Sequence, residues 1–191
     1  VLLLSPRVFL YGADDPLPET IDGAIALRTL PHSVFGDGSH PTTRLCAVAV
    51  DHICRTSRPE SLLDVGTGTG VLARIARARG VPVVFATDID PEALKSAREH
   101  AALDGEPIAI DVSNRAPDGT GQRFDLVVAN ILEGVLRRLE PELTRAVAPG
   151  GALIVSGFTR AQVPALRTAF SGLQLETESY LDEWALLLFR K

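Results

Sequence analysis

The chain predicts an α/β fold in which a doubly wound, mostly parallel sheet carries helices on both faces. Three observations predict it. From residue 61 onward, short apolar runs alternate with amphipathic segments. Those runs are apolar nearly throughout, as strands covered on both faces are. A glycine-rich turn, Leu63-Asp64-Val65-Gly66-Thr67-Gly68-Thr69-Gly70, leads from the first run into a helix, and the carboxylate of Asp88 closes the second run. With 191 residues the chain suits one domain that buries a sizeable core.

The elements follow in order. Residues 1–34 hold Pro6, Pro16, Pro18 and the acids Asp14 and Asp15. They predict a short arm or hairpin with strands at 7–11 and 24–29, and residues 35–191 are expected to form the functional domain. Phe35-Gly36-Asp37-Gly38-Ser39-His40-Pro41 reads as a loop, with Thr42 or Thr43 expected to cap a helix reaching residue 55. Strands are predicted at 61–65, 81–87, 107–111, 125–129 and 152–156. Helices are predicted at 71–79, 91–103, 160–170 and, as a broken pair, across 131–147. Pro91 suits a first helical position, and Gly80 and Gly105 suit helix ends. Two final apolar runs, 176–180 and 184–189, lie only three residues apart. They predict a hairpin, and with it an antiparallel edge to the sheet.

Composition narrows the function classes. A formal charge of −5 argues against a broad basic face for nucleic acid, and no direct nucleic-acid contact is expected. No apolar stretch has the length of a membrane helix, and Pro6 and Arg7 interrupt the opening apolar residues. Cys46 and Cys54 fall about 12 Å apart along one predicted helix. They therefore cannot bridge each other, which suits buried thiols in a reducing cytoplasm. His32, His52 and His100 lack metal-ligand spacing, so no metal is expected. His40 could be a base, a cofactor contact or a hydrogen-bond partner that stabilises its loop.

The glycine turn and Asp88 together predict a pocket for an adenosine-containing ligand, with the carboxylate on the ribose hydroxyls. A dinucleotide fingerprint needs glycine at position 71, which is Val71 here; the third glycine comes one residue early, at Gly70, and Asp64 precedes the first by two. That D-x-G-x-G-x-G form resembles the cofactor loop of S-adenosylmethionine-dependent methyltransferases. The candidate cofactor-binding residues are Asp64, Gly66, Thr67, Gly68, Gly70, Asp88 and Ile89. Asn130, at the end of the fourth strand of the alternating series, offers an acceptor oxygen that could orient an amine, or it could cap the following helix, and both roles could hold together. Asp182, Glu183 and Trp184 form a polar–aromatic cluster at the final turn, either solvated or facing a substrate.

Taken in order, FGDGSHPTT (35–43), LDVGTGTG (63–70), TDIDP (87–91), VANIL (128–132) and DEW (182–184) resemble the bacterial ribosomal protein L11 methyltransferase family over roughly residues 24–189. The resemblance implies a class I methyltransferase fold, a Rossmann-like three-layer sandwich whose mostly parallel seven-stranded sheet ends in an antiparallel strand. It implies S-adenosyl-L-methionine as cofactor, contacted by Thr43, Gly66, Asp88 and Asn130. Asn130 is implied at the catalytic centre, with the backbone carbonyl of Ile131 beside it. The expected reaction is N-methylation of a protein amine, a lysine or a ribosomal protein. A small-molecule amine and a non-catalytic cofactor-binding module stand as alternatives. Asp37 replaces the Thr usual in the first block, and the family's N-terminal recognition domain is not expected within the thirty or so residues before Phe35.

Overall fold

The computed structural model describes residues 1–19, 22–31, 34–105 and 110–191. The chain runs β1 (Leu2–Ser5), β2 (Val8–Gly12), β3 (Ile25–Thr29), α1 (Pro41–Thr56), β4 (Ser61–Val65), α2 (Val71–Ala78), β5 (Val83–Thr87), α3 (Pro91–Leu103), β6 (Ile110–Ser113), β7 (Phe124–Asn130), α4 (Glu133–Ala146), β8 (Val147–Thr159), a 3-10 turn (Arg160–Gln162), α5 (Val163–Ala169), β9 (Gln174–Leu181) and β10 (Trp184–Arg190). Seven strands make the main sheet in the order β6-β5-β4-β7-β8-β10-β9. β4, β5, β6, β7 and β8 are parallel, while β10 runs antiparallel to both of its neighbours. The antiparallel last strand is therefore as expected.

Strand alternation sorts the core into two halves. Leu62, Val84, Leu126, Val128 and Ile154 turn toward α1 and α2. Leu63, Val127, Leu153, Val155 and Leu187 turn toward α4 and α5, where Phe124, Phe158, Phe170 and Phe189 are wholly buried. The result is three layers: helices, sheet, helices.

The N-terminal strands form a second sheet, β1-β2-β3, in which β1 and β2 are antiparallel and β3 is parallel to β2. Leu4, Val8, Leu10 and Leu27 from this sheet join the same core half as α1 and α2. A charged network fastens it. Arg74 on α2, 1% exposed, donates to both carboxylate oxygens of Asp104 (2.6 and 2.8 Å) and to the backbone carbonyl of Arg28 in β3 (2.5 Å). His100 on α3 adds a neutral link. Its Nδ1–H donates to the Ser96 carbonyl at 2.8 Å, so Nε2 is left to accept from Leu30 N at 3.1 Å. His100, which shows no pairing in the sequence, is thus the bridge between α3 and the end of β3; His32 lies outside the described residues.

Three local expectations need correction. α1 is capped by His40, whose Nδ1 accepts from Thr42 N, and not by Thr42 or Thr43. α4 is one helix with Pro141 inside it, not a broken pair. Pro141 is exposed, so the carbonyl of Arg137 that loses its backbone donor lies on the solvated side. The segment expected as one helix over 160–170 opens with the 3-10 turn, closed by a capping box between Thr159 and Gln162, before α5 begins. Of the strand expected at 107–111, positions 107–109 lie outside the described residues, and β6 extends to Ser113.

Candidate active site

The strand order reverses between β4 and β7, and ligands of doubly wound sheets bind outside the carboxyl ends of strands at such a point. Every candidate site residue except Thr43 lies on β4, β5 or β7 or in the turns that leave them. Thr43 comes from the first turn of α1. Asp64 sits one residue before the end of β4 and is wholly buried. Its Oδ2 accepts from Thr67 Oγ1 at 2.6 Å and from Ala73 N at 3.3 Å. Burial pushes its carboxyl up to about 7, and the neighbouring charge of Asp88 adds to the effect, against the two hydrogen bonds. Its other oxygen, Oδ1, is buried without a hydrogen-bond partner among the described residues.

The glycine turn is committed to the protein itself. Gly66 N and Thr67 N both donate to Thr87 O (2.8 and 3.0 Å), and Gly68 N donates to Asp88 Oδ2 at 3.0 Å. Thr69 N donates to Phe35 O at 3.2 Å, and Gly70 N to Thr67 O at 2.8 Å. With all five donors engaged, the turn does not present the free backbone N–H groups that cradle a pyrophosphate. The glycines answer to crowding within the fold. Gly66, Gly68 and Gly70 all have positive φ. A Cβ on Gly66 would strike the side chain of Ile131, and one on Gly68 would strike the carbonyl of Phe35. The close approach read from the sequence is thus an approach of protein to protein.

That contact brings in the FGDGSHPTT segment. Thr69 Oγ1 donates to the Gly36 carbonyl at 2.8 Å, so the loop before α1 lies directly on the glycine turn. Asp37, the departure from the family's block, accepts from Ser39 N (2.9 Å) and Ser39 Oγ (2.7 Å), fixing the loop's bend. Thr43 follows in the first turn of α1. It is buried, and its Oγ1 lacks a partner among the described residues. The imidazole of His40 stands between Phe35 and Trp184, with ring centroids 5.2 and 4.5 Å away. Trp184 opens β10 and packs against His40, while Asp182 and Glu183 of the same turn are exposed.

Asn130 ends β7, and α4 starts beyond it with Leu132 as its cap residue. The capping alternative for Asn130 therefore falls, and its Oδ1 is buried without a partner among the described residues. Ile131 N donates to Ser156 O at 3.1 Å. Its carbonyl lies over Gly157, where a Cβ would collide with it. On the other side of the turn, Asp88 accepts from Gly68 N through one oxygen and from Asp90 N at 3.0 Å through the other. The adjacent Ile89 is 93% exposed, an apolar side chain with nothing covering it. Sequence reasoning missed Ser113, whose Oγ at the end of β6 is also buried and unpartnered among the described residues. A single serine outside any motif carries no signal; only the β5–β6 pairing places it beside Asp88, whose N donates to Ser113 O at 3.2 Å.

This strand order, with its antiparallel β10 and its polar atoms gathered at the switch point, defines a class I, Rossmann-like methyltransferase fold. A solved ribosomal protein L11 methylase from Lactobacillus delbrueckii subsp. bulgaricus superposes with a TM-score of 0.87 and 29% identity, covering 99% of this chain and 96% of that one. The N-methyltransferase NodS from Bradyrhizobium japonicum WM9, solved with S-adenosyl-L-homocysteine, shares the fold at 17% identity and a TM-score of 0.62, over 80% of this chain and 89% of its own.

The chain belongs to the ribosomal protein L11 methyltransferase family, whose profile it matches over residues 4–191. It is 39% identical over 175 residues to the ribosomal protein L11 methyltransferase of Citrifermentans bemidjiense, covering 90% of this chain and 57% of the relative. With the protein of the same name from Geobacter sulfurreducens it shares 41% over 175 residues, covering 91% of this chain and 56% of the relative. The chain thus spans little more than half the length of these relatives.

Proposed function

We propose that this chain is the catalytic part of an S-adenosyl-L-methionine-dependent methyltransferase that methylates an amine nitrogen of a ribosomal protein. In this reading, residues 35–191 carry the transfer site and residues 1–34 supply the flanking sheet; the acceptor's own compartment would be the cytoplasm. One observation carries the reading. Three buried polar atoms, Thr43 Oγ1, Asp64 Oδ1 and Asn130 Oδ1, face no partner among the described residues, and all three come from segments that meet at the switch point. Buried polar atoms are rarely left so, and a cationic amino-acid group with a ribose and an acceptor amine would satisfy them.

The residues present suit that cofactor. Asp88 would accept from the ribose hydroxyls, and exposed Ile89 would lie against the base. Ser113, one strand further out, would meet the polar edge of the base. Asp64 Oδ1 and the turn at Gly66–Gly70 would face the amino-acid end, with Thr67 orienting the Asp64 carboxylate and Thr43 closing from α1. When bound, the cofactor supplies an electrophilic methyl group on a sulfonium. The protein's task is then orientation: a neutral amine must present its lone pair in line with the methyl. Asn130 Oδ1 and the Ile131 carbonyl would accept the amine's two hydrogens and so aim that lone pair. The relatives are named for a ribosomal protein substrate, and that acceptor comes to this chain only as part of the proposal.

The test is direct. Radiolabelled S-adenosylmethionine is incubated with this chain and purified ribosomal protein L11, and the labelled residue is mapped by mass spectrometry. Label on a lysine or amino terminus is the expected result. Label appearing only on small amines would replace the protein acceptor, and saturable cofactor binding without transfer would replace the enzyme reading altogether.

A further inference from the structure

The ring of His40 is engaged through Nδ1 and through two aromatic neighbours. Its Nδ1 lies 3.3 Å from Thr42 N and 2.8 Å from Thr42 Oγ1. A backbone N–H can only donate, so Nδ1 is the acceptor and, in the neutral ring, the proton sits on Nε2. The same bond caps α1, whose next residue is Thr43. The imidazole also packs edge-on against Trp184 (4.5 Å, 68°) and tilted against Phe35 (5.2 Å, 58°). Trp184 is the chain's only tryptophan and is held in register against Thr159 of β8. One side chain therefore touches both the start of α1 and the tip of the β9–β10 hairpin, two elements that are far apart in sequence.

We propose that His40 is a positioning residue: fixed as its Nε2–H tautomer by the α1 cap, it couples the cofactor side of the site, through Thr42 and Thr43, to the wall formed by Trp184, and it does not act as the base. The assignment of Thr43 to the cofactor and of the Trp184 wall to the acceptor rests on the methyl-transfer reading; the contacts of His40 with Thr42 and Trp184 do not. The chemistry excludes a base role. Nδ1 has its lone pair committed to donors of its own chain, and Nε2 already carries a proton. Protonating Nδ1 would set one N–H against another and forfeit the cap.

The test uses the unaltered chain first. A long-range proton–nitrogen spectrum of the imidazole is expected to show Nδ1 unprotonated. Titration with S-adenosylhomocysteine is expected to change the emission of Trp184 saturably. His40→Asn keeps an acceptor at the cap but removes the ring. It should bind S-adenosylhomocysteine within about threefold of wild type, lose most of the Trp184 response, and raise the KM for ribosomal protein L11 about fivefold. His40→Phe keeps an aromatic ring without the acceptor, and should weaken S-adenosylhomocysteine about tenfold. A protonated Nδ1, or an unchanged Trp184 response in His40→Asn, overturns the proposal. So does a loss of about a hundredfold or more in kcat for both variants at constant KM, the signature of a missing base. If wild type methylates no L11 while the tautomer and emission results hold, the acceptor reading fails and the coupling stands.

Discussion

Asp64 and Asn130 each keep one buried oxygen, Oδ1, without a partner among the described residues, and each leads to a prediction at the scale of one residue. The carboxyl of Asp64 is raised from 3.8 to about 7, first by burial and then by the charge of Asp88. Its native form therefore holds a proton between those values that the unfolded chain has already released. Its contribution to stability is greatest below pH 3.8 and declines as pH rises to about 7. A cationic ligand group against Oδ1 favours the carboxylate, so binding below pH 7 should release a proton. The affinity for S-adenosylmethionine should then rise with pH by at most about tenfold per unit and flatten above 7. Calorimetry in buffers of different ionisation enthalpy measures that proton directly, and Asp64→Asn should abolish the dependence. Asn130→Ala should cut turnover about a hundredfold while cofactor affinity moves little, because it loses orientation and not binding. Asp88→Ala should do the reverse and weaken the cofactor roughly ten- to a hundredfold through lost charged hydrogen bonds. Single-turnover kinetics beside calorimetry separates the two; equal losses in both variants would contradict the division of roles.

At the scale of elements, the site is an agreement among turns. The glycine turn after β4 supports the loop before α1 through Thr69, receives Ile131 from the turn after β7 at Gly66, and hands Gly68 N to Asp88 at the end of β5. Gly68→Ala would require a side chain at φ +55° and would drive a methyl group into the Phe35 carbonyl. It should therefore release the 35–38 loop. The expected outcome is a loss of about 1–3 kcal/mol of stability and faster proteolysis within that loop, read by denaturant melts and limited digestion. Gly157→Ala, at φ +96° beneath the Ile131 carbonyl, should displace that carbonyl and depress turnover more than cofactor binding. Much of this level was legible in the sequence. The glycine spacing and the strand ends came from periodicity and turn chemistry, which are local. The unbroken α4 and the His40 cap were not legible, because exposure decides whether Pro141 is tolerated, and a histidine caps only when its ring is turned back onto the helix.

For the whole molecule, the flanking sheet β1-β2-β3 and the main sheet share one core half and are tied by buried ion pairs, Arg74 with Asp104 and Arg79 with Asp51. Arg74 and Asp104 join α2 to the end of α3, and Arg74 also holds the Arg28 carbonyl of β3. Asp104→Ala would leave Arg74 buried with its charge uncompensated, which costs about 3–5 kcal/mol. The thermal midpoint should fall by several degrees or more, with both sheets melting in one transition. Two separate transitions would mean that the flanking sheet is energetically independent.

The sequence by itself determined the α/β alternation, the antiparallel hairpin at the end of the sheet, the glycine turn at Asp64–Gly70 and the position of Asp88 at a strand end. Each is written in short-range spacing: apolar period, glycine placement, and a carboxylate at a strand end. The tertiary structure alone decided that Gly66 and Gly68 answer to Ile131 and Phe35, that Ser113 stands next to Asp88, and that His40 meets Trp184. Those pairings join residues dozens to more than a hundred positions apart. No local spacing encodes them, since they follow from strand order and from the closing of turns over a common edge.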